Sequence, residues 1–134
     1  MITVFTNGCF DIIHRGHLEL LKYCNSLGRV VVGLNSDKSI KRLKGEERPF
    51  FNEKDRKFML QSIKYVDEVI VFKEDTPLET IINLKPDIVV KGGDYEPENV
   101  VGHGLCEVKI FNYVDGYSTT NILEGIKDED FFAD

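Results

Sequence analysis

At 134 residues the chain has room for one domain with a substantial core and is too short for two. Hydrophobic residues make up 42% and charged residues 30%, an ordinary globular balance, and no apolar run nears the roughly 20 residues that span a bilayer. A net charge of −6 argues against nucleic acid as a partner, because that binding rests on Lys and Arg neutralising phosphates; any small anion must be met by local basic residues.

In chain order, short β-branched runs alternate with amphipathic stretches. Strands are predicted at Ile2–Thr6, Arg29–Leu34, Glu68–Phe72, Asp87–Lys91 and Glu107–Phe111. Helices are predicted at His17–Ser26, Ser36–Leu43, Glu53–Lys64, Pro77–Leu84 and Ser118–Ile126. Leu18, Leu20, Leu21, Cys24 and Leu27 form the apolar side of the first helix, Gly28 suits its C-terminus, and Asn52 suits an N-cap. Val30-Val31-Val32 and Ile88-Val89-Val90 are apolar without alternation, as in strands covered on both faces. The expected fold is therefore an α/β, Rossmann-like three-layer sandwich with a five-stranded parallel sheet, occupying residues 1–127. Residues 128–134 read as an acidic tail, with Phe131 and Phe132 available to a partner subunit. In such sheets the loops after the carboxyl ends of the strands bind ligands. The opening residues lack the basic start and cleavage site of a signal peptide. Cys9, Cys24 and Cys106 form no Cys-x-x-Cys pair, so reduced thiols in a cytoplasmic protein are expected.

The loop after the first strand, Thr6-Asn7-Gly8-Cys9-Phe10-Asp11-Ile12-Ile13-His14-Arg15-Gly16-His17, carries the strongest signal. It is neither a P-loop nor a Gly-x-Gly-x-x-Gly turn. Two histidines flank Gly16 at a helix entrance, where unpaired N–H groups and the positive dipole end favour a phosphate. Attack on an α-phosphorus spreads charge onto its oxygens and the departing pyrophosphate; preorganised donors lower that barrier, about 3 kcal/mol each. No base is needed, since an attacking phosphate is already an anion.

Further along, the Lys41–Pro49 stretch is a basic loop, where Lys44 suits bridging of two anions and Arg48 is a second candidate. Arg56 either reaches the site or pairs with Asp55 or Glu53. Lys91-Gly92-Gly93-Asp94-Tyr95 at a strand's end is a plain turn or a reader of base and ribose, with Asp94 accepting from hydroxyls. Ser118, Thr119 and Thr120 cap the last helix and offer a second anion cradle. No carboxylate cluster marks a metal site, so Mg²⁺ is expected to ride on the nucleotide phosphates.

The His-x-Gly-His and Ser-Thr-Thr blocks together resemble the cytidylyltransferase-like nucleotidyltransferases, relatives of class I aminoacyl-tRNA synthetases. The blocks Val32–Asp37, Lys41–Gly45, Glu74–Leu78, Lys91–Tyr95 and Gly116–Thr120 are most similar to the bacterial heptose 1-phosphate adenylyltransferases. That resemblance implies transfer of AMP from ATP to heptose 1-phosphate, by a homodimer or larger homo-oligomer. It implies catalytic roles for His14, His17, Lys44 and Thr119. Nucleotide contacts fall to Asn7, Gly8, Cys9, Phe10, Gly16, Lys91, Gly92, Asp94, Ser118, Thr119 and Thr120, and acceptor contacts to Asp11, Asn35, Lys44 and Arg48. Glycerol-3-phosphate cytidylyltransferases are the nearest alternative; they carry an arginine where this chain has Tyr113 and a Gly-Asp-Asp-Trp type segment at Gly92–Tyr95. A non-catalytic nucleotide sensor is the reading from another class, and such a module has no use for transition-state donors.

Overall fold

The computed structural model describes residues 1–112; the Ser-Thr-Thr block, the helix predicted after it and the acidic tail lie outside the described residues. The elements run β1 (Thr3–Gly8), α1 (Arg15–Leu27), β2 (Arg29–Asn35), α2 (Asp37–Lys44), α3 (Glu53–Gln61), β3 (Glu68–Phe72), α4 (Leu78–Leu84), β4 (Ile88–Gly92), a 3-10 turn (Pro97–Asn99) and β5 (Glu107–Phe111). All strands are parallel in the order β3-β2-β1-β4-β5, so the direction of winding reverses between β1 and β4. This is the expected Rossmann-like sheet.

Two apolar layers cover it. Leu20, Leu21 and Cys24 of α1 and Leu60 of α3 pack with Val4, Val30 and Val32 on one face. Ile81 of α4 and Val100 pack with Phe5, Val31 and Val89 on the other. Consecutive strand residues thus bury on opposite sides, each large side chain contributing about 1.5–3 kcal/mol. Leu18, expected on the apolar side of α1, is instead exposed. Gly28 ends α1 against β1, where a Cβ would stand 2.4 Å from the Ile2 carbonyl oxygen.

Helix ends differ from the sequence expectation for local reasons. α1 starts two residues earlier because His14 caps it. α3 stops at Gln61, short of Lys64: Ser62 bonds back to Phe58, and 3-10-like bonds Ile63 N–H to Leu60 and Val66 N–H to Ile63 turn those apolar residues inward. Asn52 and Ser36 cap α3 and α2 through Asp55 N–H and Ser39 N–H. Among the described residues no helix is long and apolar enough to cross a membrane.

Candidate active site

Between β1 and α1 the chain makes a histidine cap. His14 is extended, its Nδ1 accepts the Gly16 N–H at 3.1 Å, and its own N–H donates to His17 Nδ1 at 3.3 Å. Two imidazoles thus occupy the reciprocal positions of a capping box. Their rings stack with centroids 3.8 Å apart. An Nδ1 that accepts carries no proton, so in each neutral ring the proton sits on Nε2. Burial foremost, then the charges of His14 and Lys44, pushes the His17 pKa down to about 3. Burial also holds His14 below its ordinary value. At neutral pH the pair consists of uncharged N–H donors at a helix N-terminus, an arrangement suited to phosphate oxygens.

Phe10 and Asp11 are both buried. Phe10 is buried with φ +46°, and its ring packs 5.0 Å from that of His17 and so supports the histidine. Asp11 is 1% exposed; it accepts from Arg48 Nε at 2.9 Å and from the N–H groups of Phe50 and Phe51. Its carboxylate pins the basic loop. Arg48 Nη2 is buried with no hydrogen-bond partner among the described residues.

Arg56 pairs with neither Asp55 nor Glu53. Fully buried, it donates to the carbonyls of Cys9, Asn35 and Phe51 and to Asp37 Oδ1. One guanidinium therefore ties the loop after β1, the last residue of β2, the segment leading into α3 and the start of α2. Its five donors in a rigid fork suit this task in a way Lys does not.

A cavity of about 440 Å³ opens at the carboxyl ends of β1 and β4, where the winding reverses. Asn7, Gly8 and Cys9 contribute from β1 and its loop, Asn35 from β2, Lys44 from α2 and Lys91 from β4. Burial foremost lowers the pKa of Lys91, with Cys9 acting to raise it and Lys44 to lower it. The Lys91 ammonium lies 5.2 Å from the centre of the Tyr95 ring. Among the described residues no carboxylate pairs with Lys44 or Lys91; Asp75, in the same wall, is held by Arg42 at 2.9 Å.

The structure therefore gathers Asn7, Gly8, Cys9, Asn35, Lys44 and Lys91 around one cavity. His14, Gly16 and His17 stand beside it at the head of α1, with the Lys44 charge reaching His17. Gly92 closes β4, Gly93 turns at φ +120°, and Asp94 is exposed. Ser118, Thr119 and Thr120 lie outside the described residues. Sequence reasoning left Arg56 undecided and gave Tyr95 no role. Only the glycine pair before Tyr95 hinted at it, since a Cβ on Gly93 would meet that ring at 2.9 Å.

The family model described as cytidylyltransferase-like matches residues 5–124. The bifunctional protein HldE of Helicobacter pylori strain J99 is 56% identical over 126 residues, which are 92% of this chain and 27% of that protein. HldE of Pelobacter propionicus is 52% identical over 129 residues, 92% of this chain and 26% of that one. The chain spans about a quarter of the length of these curated relatives. A solved structure, the lipopolysaccharide core biosynthesis protein from Thermoplasma volcanium, is similar with a TM-score of 0.71 and 32% identity, covering 88% of this chain and 99% of that one. By that family match and these identities, the chain belongs to the cytidylyltransferase-like family of nucleotidyltransferases.

Proposed function

We propose that this chain transfers AMP from ATP to heptose 1-phosphate, releasing pyrophosphate and forming ADP-heptose for surface polysaccharide. The observation that carries this reading is the pair of neutral histidine donors at the head of α1, next to a cavity with two lysines. A phosphate oxygen of the acceptor attacks the α-phosphorus while the bond to the bridging oxygen of the β-phosphate breaks. The leaving pyrophosphate takes the electron pair, and no protein group needs to remove a proton. His14 and His17 donate to oxygens that gain charge, and Lys44 screens the approach of two anions. Ser118, Thr119 and Thr120 are assigned to the same triphosphate on the strength of the family resemblance.

Magnesium enters as part of the nucleotide. Among the described residues no group of three His, Cys, Asp or Glu is placed to hold a metal ion, and the lysine and imidazole N–H donors here fit phosphate oxygens. Assembly as a homodimer or larger homo-oligomer in the cytoplasm completes the reading. Exposed apolar side chains such as Phe58, Ile82 and Leu105 supply surface for such contacts, which light scattering on the purified chain tests.

The decisive experiment is a matrix of the four nucleoside triphosphates against heptose 1-phosphates and glycerol 3-phosphate, read by pyrophosphate release. Release with ATP and heptose 1-phosphate is expected. Release only with CTP and glycerol 3-phosphate replaces this reading, and nucleotide binding without release in any pairing marks a sensor.

A further inference from the structure

Lys91 lies near the carboxyl end of β4 in the wall of the cavity that Lys44 also lines. Its ammonium is partly withdrawn from water and, among the described residues, lies over the Tyr95 ring at 5.2 Å with no carboxylate beside it. Such a contact offsets only about 0.5–2 kcal/mol, less than the loss of hydration and of a counter-charge. The arrangement calls for an anion in the cavity.

Position identifies which anion. The histidines stand on α1, whose apolar side packs on one face of the sheet. The cavity wall includes Pro77, which caps α4, and Val100, whose side chain belongs to the opposite face. Cavity and helix entrance therefore flank the end of β1 from two sides. Lys44 lines the cavity, and its charge acts on both His17 and Lys91. In-line displacement places the attacking and departing oxygens on opposite sides of the phosphorus. With pyrophosphate leaving toward the histidines, the attacker arrives from the cavity.

We infer that Lys91, together with Lys44, binds the phosphate of the acceptor, and that this cavity is a phosphomonoester pocket and not a base or ribose pocket. The inference rests on the transfer reading for the direction of attack and reassigns Lys91 from the nucleotide to the sugar phosphate. A volume near 440 Å³ suits a monosaccharide phosphate. Asn7 and Asn35 in the same wall provide amide groups for the sugar end. The Tyr95 ring, half exposed above Gly93, holds the ammonium until the phosphate arrives.

The test titrates heptose 1-phosphate, inorganic phosphate and ATP separately into the full chain by calorimetry, for wild type, Lys91→Met and Lys91→Arg. Lys91→Met is expected to weaken heptose 1-phosphate binding about tenfold to a hundredfold and leave the ATP dissociation constant within about twofold. Lys91→Arg keeps the charge and is expected to recover part of the loss. The Lys91→Met melting temperature stays at or above that of wild type, which a purely structural lysine does not predict. A parallel loss of ATP affinity, unchanged heptose 1-phosphate affinity, or no heptose 1-phosphate binding by wild type overturns the inference. The two readings separate cleanly. A wild type whose heptose 1-phosphate binding depends on Lys91 but which releases no pyrophosphate keeps the pocket and loses the reaction. A wild type that turns over while Lys91→Met keeps its acceptor affinity does the reverse.

Discussion

An imidazole whose Nδ1 accepts a backbone N–H presents its other N–H in a fixed direction, so the cap that starts α1 also orients the two donors proposed to act on the nucleotide. His17→Ala removes one such donor and is expected to lower turnover by about two orders of magnitude or more, with nucleotide affinity changed little. Steady-state kinetics beside direct ATP titration check this, and unchanged turnover removes His17 from the reaction. The same residue has a pH signature. Its pKa near 3 lies below the ordinary 6.5, so the unfolded chain takes up the proton more readily than the folded one. Its contribution to stability is complete above about pH 6.5 and is lost as the pH falls toward 3. Between pH 7 and 5.5 the urea midpoint of wild type should therefore fall more than that of His17→Gln. Parallel slopes refute the assignment of a buried neutral ring.

Among the elements, Arg56 joins four segments through one guanidinium. Arg56→Met leaves buried carbonyls and Asp37 without their donor and is expected to cost about 3–5 kcal/mol in a denaturant titration. Arg56→Lys recovers only part, because an ammonium cannot span all four acceptors. A loss below about 1 kcal/mol shows the loops hold one another without it. These elements also mark how far sequence reading goes. Strands and their parallel pairing were legible because consecutive valines and isoleucines suit a parallel sheet covered on both faces. The histidine pair was legible because its spacing is local, three residues on one helix turn. Arg56 was not, since its partners Cys9 and Asn35 lie 47 and 21 residues away. Asp11 likewise meets Arg48 across 37 residues, and no local pattern tells a loop-pinning carboxylate from one that faces a substrate.

For the molecule as a whole, the reversal of winding between β1 and β4 sets helix entrance and cavity side by side, with Lys44 at the end of α2 beside both. Lys44→Ala is expected to raise the acceptor KM about tenfold or more, with the ATP KM moving much less. A shift mainly in the ATP constant assigns that lysine to the nucleotide. Hydrogen bonds from uncharged rings are nearly indifferent to dissolved salt, whereas attraction between ammonium groups and a dianion fades as the Debye length shrinks to about 3 Å at 1 M. Potassium chloride should therefore erode capture of the sugar phosphate well before it loosens the grip on the departing pyrophosphate, leaving a protein that still holds its by-product while starved of its second reactant.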